Sequence, residues 1–273
     1  MIDLHTHTLA SDGLLSPTEL VREAAKRSVE VLGVTDHDTL DGLDEAVEAA
    51  EEVGITLVPG VELSTTIPGP EIHILGYFVN RADRQFRERL RTLAEDRVRR
   101  IERVVAQLNA AGYPIDLDQI LAEAEQGSVG RPHVARALIG IGAASDMNDA
   151  FGRFLRRGTV GWAPRTPFTA EEAIGILRDN GAIPVLAHPY STGDPAAMAE
   201  RLAPAGLMGF EVHYGEYTDE QQAILANIAK RHGLVPTGGS DYHGPRFREG
   251  RDLGTVNVPR TDFEGLLAVR NRR

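Results

Sequence analysis

The first seven residues, MIDLHTH, place His5 and His7 one residue apart, and Asp12 follows five positions later. Ile2 and Leu4 alternate with Asp3, as in a short strand. Residues two apart on a strand point to the same face. His5 and His7 would then project side by side and could share one metal ion. A solvated tail carrying two histidines is the competing reading, and the pair alone does not exclude it.

The elements around the pair narrow the choice. Helix starts recur with one chemistry: Ser16-Pro17-Thr18-Glu19 is a capping box with proline at the first helical position. Thr169–Glu172, Thr218–Gln221 and Thr261–Glu264 repeat it. Gly54, Gly181 and Gly233 stand where left-handed helix ends are wanted. Short apolar runs alternate with these helices, which predicts βα units and a parallel sheet. Seven strands are expected, over residues 1–5, 30–35, 55–61, 72–79, 182–187, 207–213 and 234–239. Residues 81–167 break the rhythm and read as a helical insertion, with a turn at Gly112-Tyr113-Pro114 and a loop near 127–132. Residues 1–80 and 168–273 would form the barrel.

On this scaffold the polar residues track strand ends. His5 and His7 end the first strand, Asp36, His37 and Asp38 the second, and Glu62 the third. His188 ends the fifth, Glu211 and His213 the sixth, and Asp241 and His243 follow the seventh. His73 is the odd member, because it starts its run. Active sites of parallel barrels lie at the C-terminal strand ends. Asp36 or Asp38 would hold a ligand's second ring nitrogen or a turn, and Asp38 is also a candidate cap for a helix near Thr39. Glu71 reads as solvent-exposed.

Composition limits the partners. The 273 residues include 29 basic and 40 acidic ones, for a net charge of −11. A broad basic surface for long duplex nucleic acid is absent from such a balance. The arginines are clustered, over 81–103 and 131–165; the first cluster reads as a solvated helix laced with i,i+4 ion pairs. With no cysteine, disulfides and thiolate metal sites are excluded, so any metal must be held by nitrogen and oxygen. No run approaches the ~20 apolar residues of a membrane span. A cytoplasmic location is expected, and no obligate protein partner is implied.

Five motifs in order, HTHTLASDG, VTDHDT, GVEL, LAHP and GSDYHG, resemble those of the PHP (polymerase and histidinol phosphatase) superfamily. The resemblance spans both flanks of the insertion. It implies a distorted (β/α)7 barrel of the α/β class and two to three divalent metal ions, manganese foremost, with iron, zinc or magnesium as alternatives. His5, His7 and Asp241 would hold the first metal, and Glu62 would bridge it to a second completed by His73 and His188. Asp12, His37 and His243 would hold the third. Many relatives carry histidine where this chain has Asp12. The aspartate shifts the site toward harder ions such as manganese or magnesium.

The resemblance further implies hydrolysis of phosphate esters, in which a hydroxide held between two ions attacks phosphorus in line with the leaving oxygen. His213, not needed as a ligand, is a candidate general acid; a barrel-mouth histidine in a hydrogen bond is the alternative. Substrate choice would lie in the insertion. Ser128, Arg131 and His133 sit on a loop entering a helix, where an arginine and a helix start suit phosphate. The stretch FLRRGTVGWAPRTP, with Trp162 and Arg165, would cover the site or simply connect back to the barrel. The layout is similar to standalone phosphoesterases of nucleotides. It implies removal of the 3′-phosphate from nucleoside 3′,5′-bisphosphates, or 5′-to-3′ trimming of short RNA ends. Histidinol-phosphate phosphatase, metal-dependent amidohydrolase and a non-catalytic metal-binding module are the rival expectations.

Overall fold

A computed structural model describes residues 1–65, 72–124, 128–245, 247, 250–256 and 258–272. Seven strands pair in chain order: β1 (Ile2–Asp3), β2 (Val31–Val34), β3 (Thr56–Thr65), β4 (Ile72–Tyr77), β5 (Ile183–Leu186), β6 (Gly209–Tyr214) and β7 (Val235–Gly239). The extended chain after β1 meets the end of β7, through Leu4 N–H to Gly238 O at 3.1 Å, Asp241 N–H to His5 O at 2.8 Å and His7 N–H to Tyr242 O at 2.9 Å. The sheet therefore curls into a nearly closed barrel, the expected α/β architecture.

One strand departs from expectation. β4 runs antiparallel to both β3 and β5. A parallel neighbour needs a crossover of a dozen or more residues, and only six positions separate Thr65 from Ile72. The reversal accounts for His73: the start of a reversed strand lies beside the ends of the others. β3 also continues past the expected 61 to Thr65, so Glu62 sits inside the ladder. Glu71 lies outside the described residues.

Helices α1 (Pro17–Lys26) and α2 (Leu43–Val53) pack beside each other on the early strands. The capping box at Ser16 forms as expected. α2 starts at Leu43 behind Gly42, so Asp38 does not cap it. α3 (Arg84–Ala110), α4 (Leu117–Glu123), α5 (Arg131–Gly140), α6 (Met147–Ala150) and a π-helical turn over Phe151–Leu155 make up the helical segment. Ile101, Val104, Leu108, Val134, Leu138 and Phe154 form a core of their own there. Phe86 and Leu90, at the other end of α3, join the barrel's outer core, so this 27-residue helix spans both.

The return half carries α7 (Ala170–Asp179), α8 (Pro195–Leu202), α9 (Asp219–His232) and α10 (Arg260–Arg270). Boxes form at Thr169 and Thr218. The box expected at Thr261 does not, because α10 begins two residues earlier than that cap would set, at Arg260 behind Pro259.

Candidate metal centre and active site

The barrel mouth gathers the expected ligands. His5 and His7 lie on the extended chain after β1, and Gly239 makes room for them, since a Cβ there would stand 2.4 Å from the Cβ of His5. Asp36 does not touch an imidazole. Its carboxylate accepts from Thr8 N–H (2.7 Å), Thr8 Oγ1 (2.7 Å) and Ser11 Oγ (2.6 Å). These bonds fix the turn that presents Asp12. Asp38 accepts from Ser64 N–H at 2.9 Å and from Arg97 Nε at 2.5 Å.

Three overlapping groups of side chains could each hold an ion: His5, His7, Glu62 and Asp241; His37, Glu62 and His73; and His7, Asp12, His37 and His243. Glu62 joins the first two. Its Oε2 lies 3.0 Å from His5 Nε2, 3.1 Å from His7 Nε2 and 3.4 Å from His37 Nδ1. Its Oε1 lies 2.7 Å from His73 Nδ1 and 3.1 Å from His188 Nε2. Asp12 faces His243 Nε2 at 3.3 Å and His37 Nε2 at 3.8 Å.

His7 tests whether cations fit. Neither of its buried ring nitrogens makes a hydrogen bond among the described residues. Yet Nε2 stands 3.1 Å from both Glu62 Oε2 and Asp241 Oδ1. Three donor atoms that converge without hydrogen-bond alignment suit a cation between them. Oxygen and imidazole donors without thiolates match divalent manganese, iron, magnesium or zinc.

The electrostatics agree. Burial works against charge on Glu62, but the imidazoles of His37 and His5 hold its carboxyl well below the usual range. Asp12 is held low against burial by His37 and His243, and Asp241 by Arg251 and His5. Burial also disfavours a charged His7, yet Asp241 and Glu62 push it up to about 10. Burial carries His37 well below its ordinary value. The site keeps its carboxylates as anions in a buried space, which is an attractive well for cations.

A cavity of about 560 Å³ opens above these groups. Asp12, His37, Glu62, His73, His188 and Asp241 lie on its barrel side, and Arg97, Arg131, Arg165, Met147, Asn148 and Phe151 on its helical side. Of the expected substrate residues, Arg131 and Arg165 reach the wall; Ser128 and His133 do not. Ser128 is buried, and among the described residues its Oγ has no hydrogen-bond partner. His133 is buried and accepts the Gly130 N–H at 3.1 Å, which makes it a cap for α5. Trp162 lies off the wall, under Arg157 at 5.8 Å. The aromatic lining comes instead from Phe151, Tyr190, Tyr214, Tyr217 and Phe247.

His213 does not line the cavity, and the alternative of a hydrogen-bonded histidine holds. A bulge in β6 shifts the register between Glu211 and His213. Strand alternation would put these two on one face; the extra residue turns Tyr214 inward instead. His213 Nε2 lies 2.8 Å from Asp262 Oδ2 and Nδ1 3.2 Å from Gln222 Oε1, so the ring ties β6 to α10 and α9.

Two residues went unnoticed in the sequence. Arg97 was folded into an arginine-rich helix read as solvated. Arg91 and Arg99 do make such pairs, but Arg97 and Arg100 are buried. The signal was there: Leu90, Arg97, Ile101, Val104 and Leu108 share one helix face. Arg251 donates from Nη1 to Asp241 Oδ2 at 2.5 Å and from Nε to Glu216 Oε1 at 2.8 Å, and nothing in the local sequence announces it.

Fold and site together define a metal-dependent phosphoesterase. The chain belongs to the PHP domain family. The family model matches residues 3–125. A 3′,5′-nucleoside bisphosphate phosphatase from Chromobacterium violaceum is 35% identical, over 94% of this chain and 92% of that one. The 5′-3′ exoribonuclease Rnm from Escherichia coli is 36% identical, over 89% and 85%. A solved structure from Bifidobacterium adolescentis, assigned as a metal-dependent phosphoesterase, superposes with a TM-score of 0.88 at 30% identity, covering 98% of this chain and 95% of that one.

Proposed function

We propose that the enzyme hydrolyses phosphate esters of nucleotides, chiefly the 3′-phosphate of nucleoside 3′,5′-bisphosphates, with 5′-to-3′ trimming of short RNA ends as the related activity. The observation that carries this reading is the second charged wall. Arg97, Arg131 and Arg165 line the cavity across from the metal-facing residues. Asp38 lies against two of them, 2.5 Å from Arg97 Nε and 3.8 Å from Arg165 Nη1. Three guanidiniums on one wall, two of them beside the Asp38 carboxylate, are the kind of side chain that holds a phosphate without cleaving it. The relatives named for bisphosphates and RNA 5′ ends support the same choice.

Two or three divalent ions, manganese foremost, would supply Lewis acidity to activate water and offset charge on the phosphoryl oxygens. His5, His7, Glu62 and Asp241 would hold one, Glu62, His73 and His188 a second, and Asp12, His37 and His243 a third. Arg251 and the Tyr214 hydroxyl (2.8 Å) hold the outward oxygen of Asp241, so its other oxygen stays turned toward His5 and His7. Arg131 and Arg165 orient the remote phosphate. Phe151, with the Arg131 guanidinium 5.6 Å over its ring, offers a face to a sugar or base. The net charge of −11 favours a small nucleotide or strand end over long duplex. Among the described residues no helix is long and apolar enough to cross a membrane; a cytoplasmic site of action is part of the proposal.

The test is phosphate release by manganese-loaded protein from adenosine 3′,5′-bisphosphate, AMP, histidinol phosphate and a short 5′-phosphorylated RNA. Turnover of the bisphosphate or RNA, without histidinol phosphate, supports the reading. Turnover of histidinol phosphate alone overturns it.

A further inference from the structure

We infer that Glu211 is a positioning residue that makes the metal centre ligand-ready from beneath, setting the tautomer of His5 and the backbone of His188 with one carboxylate. Glu211 is fully buried and reaches inward from the bulged end of β6. Its Oε1 lies 2.9 Å from His5 Nδ1. Its Oε2 accepts the His188 backbone N–H at 2.5 Å. The two histidines it touches lie on different oxygens of Glu62, His5 Nε2 against Oε2 and His188 Nε2 against Oε1. Glu211 thus ties together the two sides of the bridged pair.

Each contact has a specific consequence. A carboxylate can only accept, so it draws the ring proton of His5 to Nδ1 and leaves the Nε2 lone pair facing Glu62 and Asp241. His188 has φ +28°, a conformation that a side-chain-bearing residue rarely adopts. Its N–H, bonded to Glu211, is held where the ring can reach Glu62. Ser191 Oγ, 2.9 Å from His188 Nδ1, fixes the ring from the other side.

The logic predicts that an amide is a poor replacement. Glutamine has one acceptor oxygen. If that oxygen meets the His188 N–H, its NH₂ faces His5 Nδ1 and drives the ring proton onto Nε2, the ligating atom. If the oxygen meets His5, the NH₂ opposes the His188 N–H. Neither arrangement serves both.

The inference rests on the metal-binding reading and not on the substrate, so its test measures metal rather than turnover. Manganese is titrated into metal-stripped wild type and Glu211→Gln, with free Mn²⁺ read by electron paramagnetic resonance and melting recorded with and without metal. Glu211→Gln should bind manganese about 10–100-fold more weakly and lose most of the manganese-induced rise in Tm. Wild-type affinity and stoichiometry in Glu211→Gln would overturn the inference. So would a lower metal-free Tm with the manganese-induced rise intact, which marks a purely structural role. Should the variant not fold, ¹H–¹⁵N NMR of zinc-loaded wild type decides: a His5 Nδ1 proton strongly deshielded by a carboxylate acceptor supports the inference, and one at the position of an imidazole N–H without such an acceptor overturns it. Failure of every phosphate ester to turn over would leave these metal readouts unchanged and would count against the substrate reading alone.

Discussion

Glu62 and His73 are diagonal neighbours across the antiparallel pair of β3 and β4, with Glu62 Oε1 2.7 Å from His73 Nδ1. The same carboxylate touches imidazoles from three further chain segments. Among the described carboxylates of the site, none contacts more imidazoles. Glu62→Gln removes the charge that two of the candidate ion positions have in common. It should cut kcat/KM at least about a hundredfold and lower the number of manganese ions bound. Retention of full stoichiometry with near-normal turnover would refute the bridging role.

Metal should also stabilise the fold. Asp12, Glu62 and Asp241 are buried anions, and cations that bind only the folded chain add about 2.7 kcal/mol at a hundred times their Kd. For a chain of this size that is roughly 5–10 °C in Tm. Stripping with EDTA should lower the melting temperature by that order, and manganese should restore it. Superimposable melts before and after stripping would count against tight binding.

Arg131→Ala tests the remote phosphate. A charge-assisted bond is worth about 1.5–3 kcal/mol, so KM for adenosine 3′,5′-bisphosphate should rise roughly 10–100-fold. Hydrolysis of p-nitrophenyl phosphate, which has no second phosphate, should stay within about threefold. Equal losses on both substrates would mean that Arg131 serves the reaction centre or the fold instead.

His133 gives the stability a pH dependence. Burial, then the charge of Arg136, push its ring down to about 4, whereas an unfolded histidine titrates near 6.5. Below pH 6.5 the unfolded chain takes up a proton that the folded ring refuses. The stabilisation is complete above pH 6.5 and is lost as the pH falls toward 4, on the order of 3 kcal/mol in all. Urea melts of wild type and His133→Asn across this range should converge as the pH drops. Parallel stability curves would show that His133 is not the group responsible.

His213→Gln should leave kcat and manganese content within about threefold of wild type, because the ring is engaged by Asp262 and Gln222 away from the cavity. Its cost should appear as about 1 kcal/mol of stability, the usual worth of one hydrogen bond. A hundredfold fall in kcat would return His213 to the reaction.

The site was readable where local rules suffice. His5 and His7 obey strand alternation, and the carboxylates and imidazoles after β2, β5 and β7 follow from the barrel rule. His73 stood out as misplaced because its strand had been given the wrong direction, and the short link after Thr65 was the overlooked clue. His213 was misplaced because a single extra residue resets alternation, and a bulge leaves no mark in composition. Arg97 could have been found from helix periodicity. Arg251 could not, since its partner Asp241 is fixed by tertiary contact alone. Of the roles expected for Asp36 and Asp38, holding a turn is met by Asp36, which braces the turn before Asp12, while Asp38 braces the arginine wall.

Because β4 runs backwards, the chain leaves it at the end of the barrel away from the mouth. α3, at 27 residues about 40 Å long, carries it back up to hang α4, α5 and α6 over the opening. Every metal-facing residue comes from the barrel, and the described helical segment supplies only the opposite wall. On the proposed function, the remote phosphate is chosen by one stretch of the chain and cleaved by another, so exchanging the overhang would change the cargo while the cutting tool stays the same.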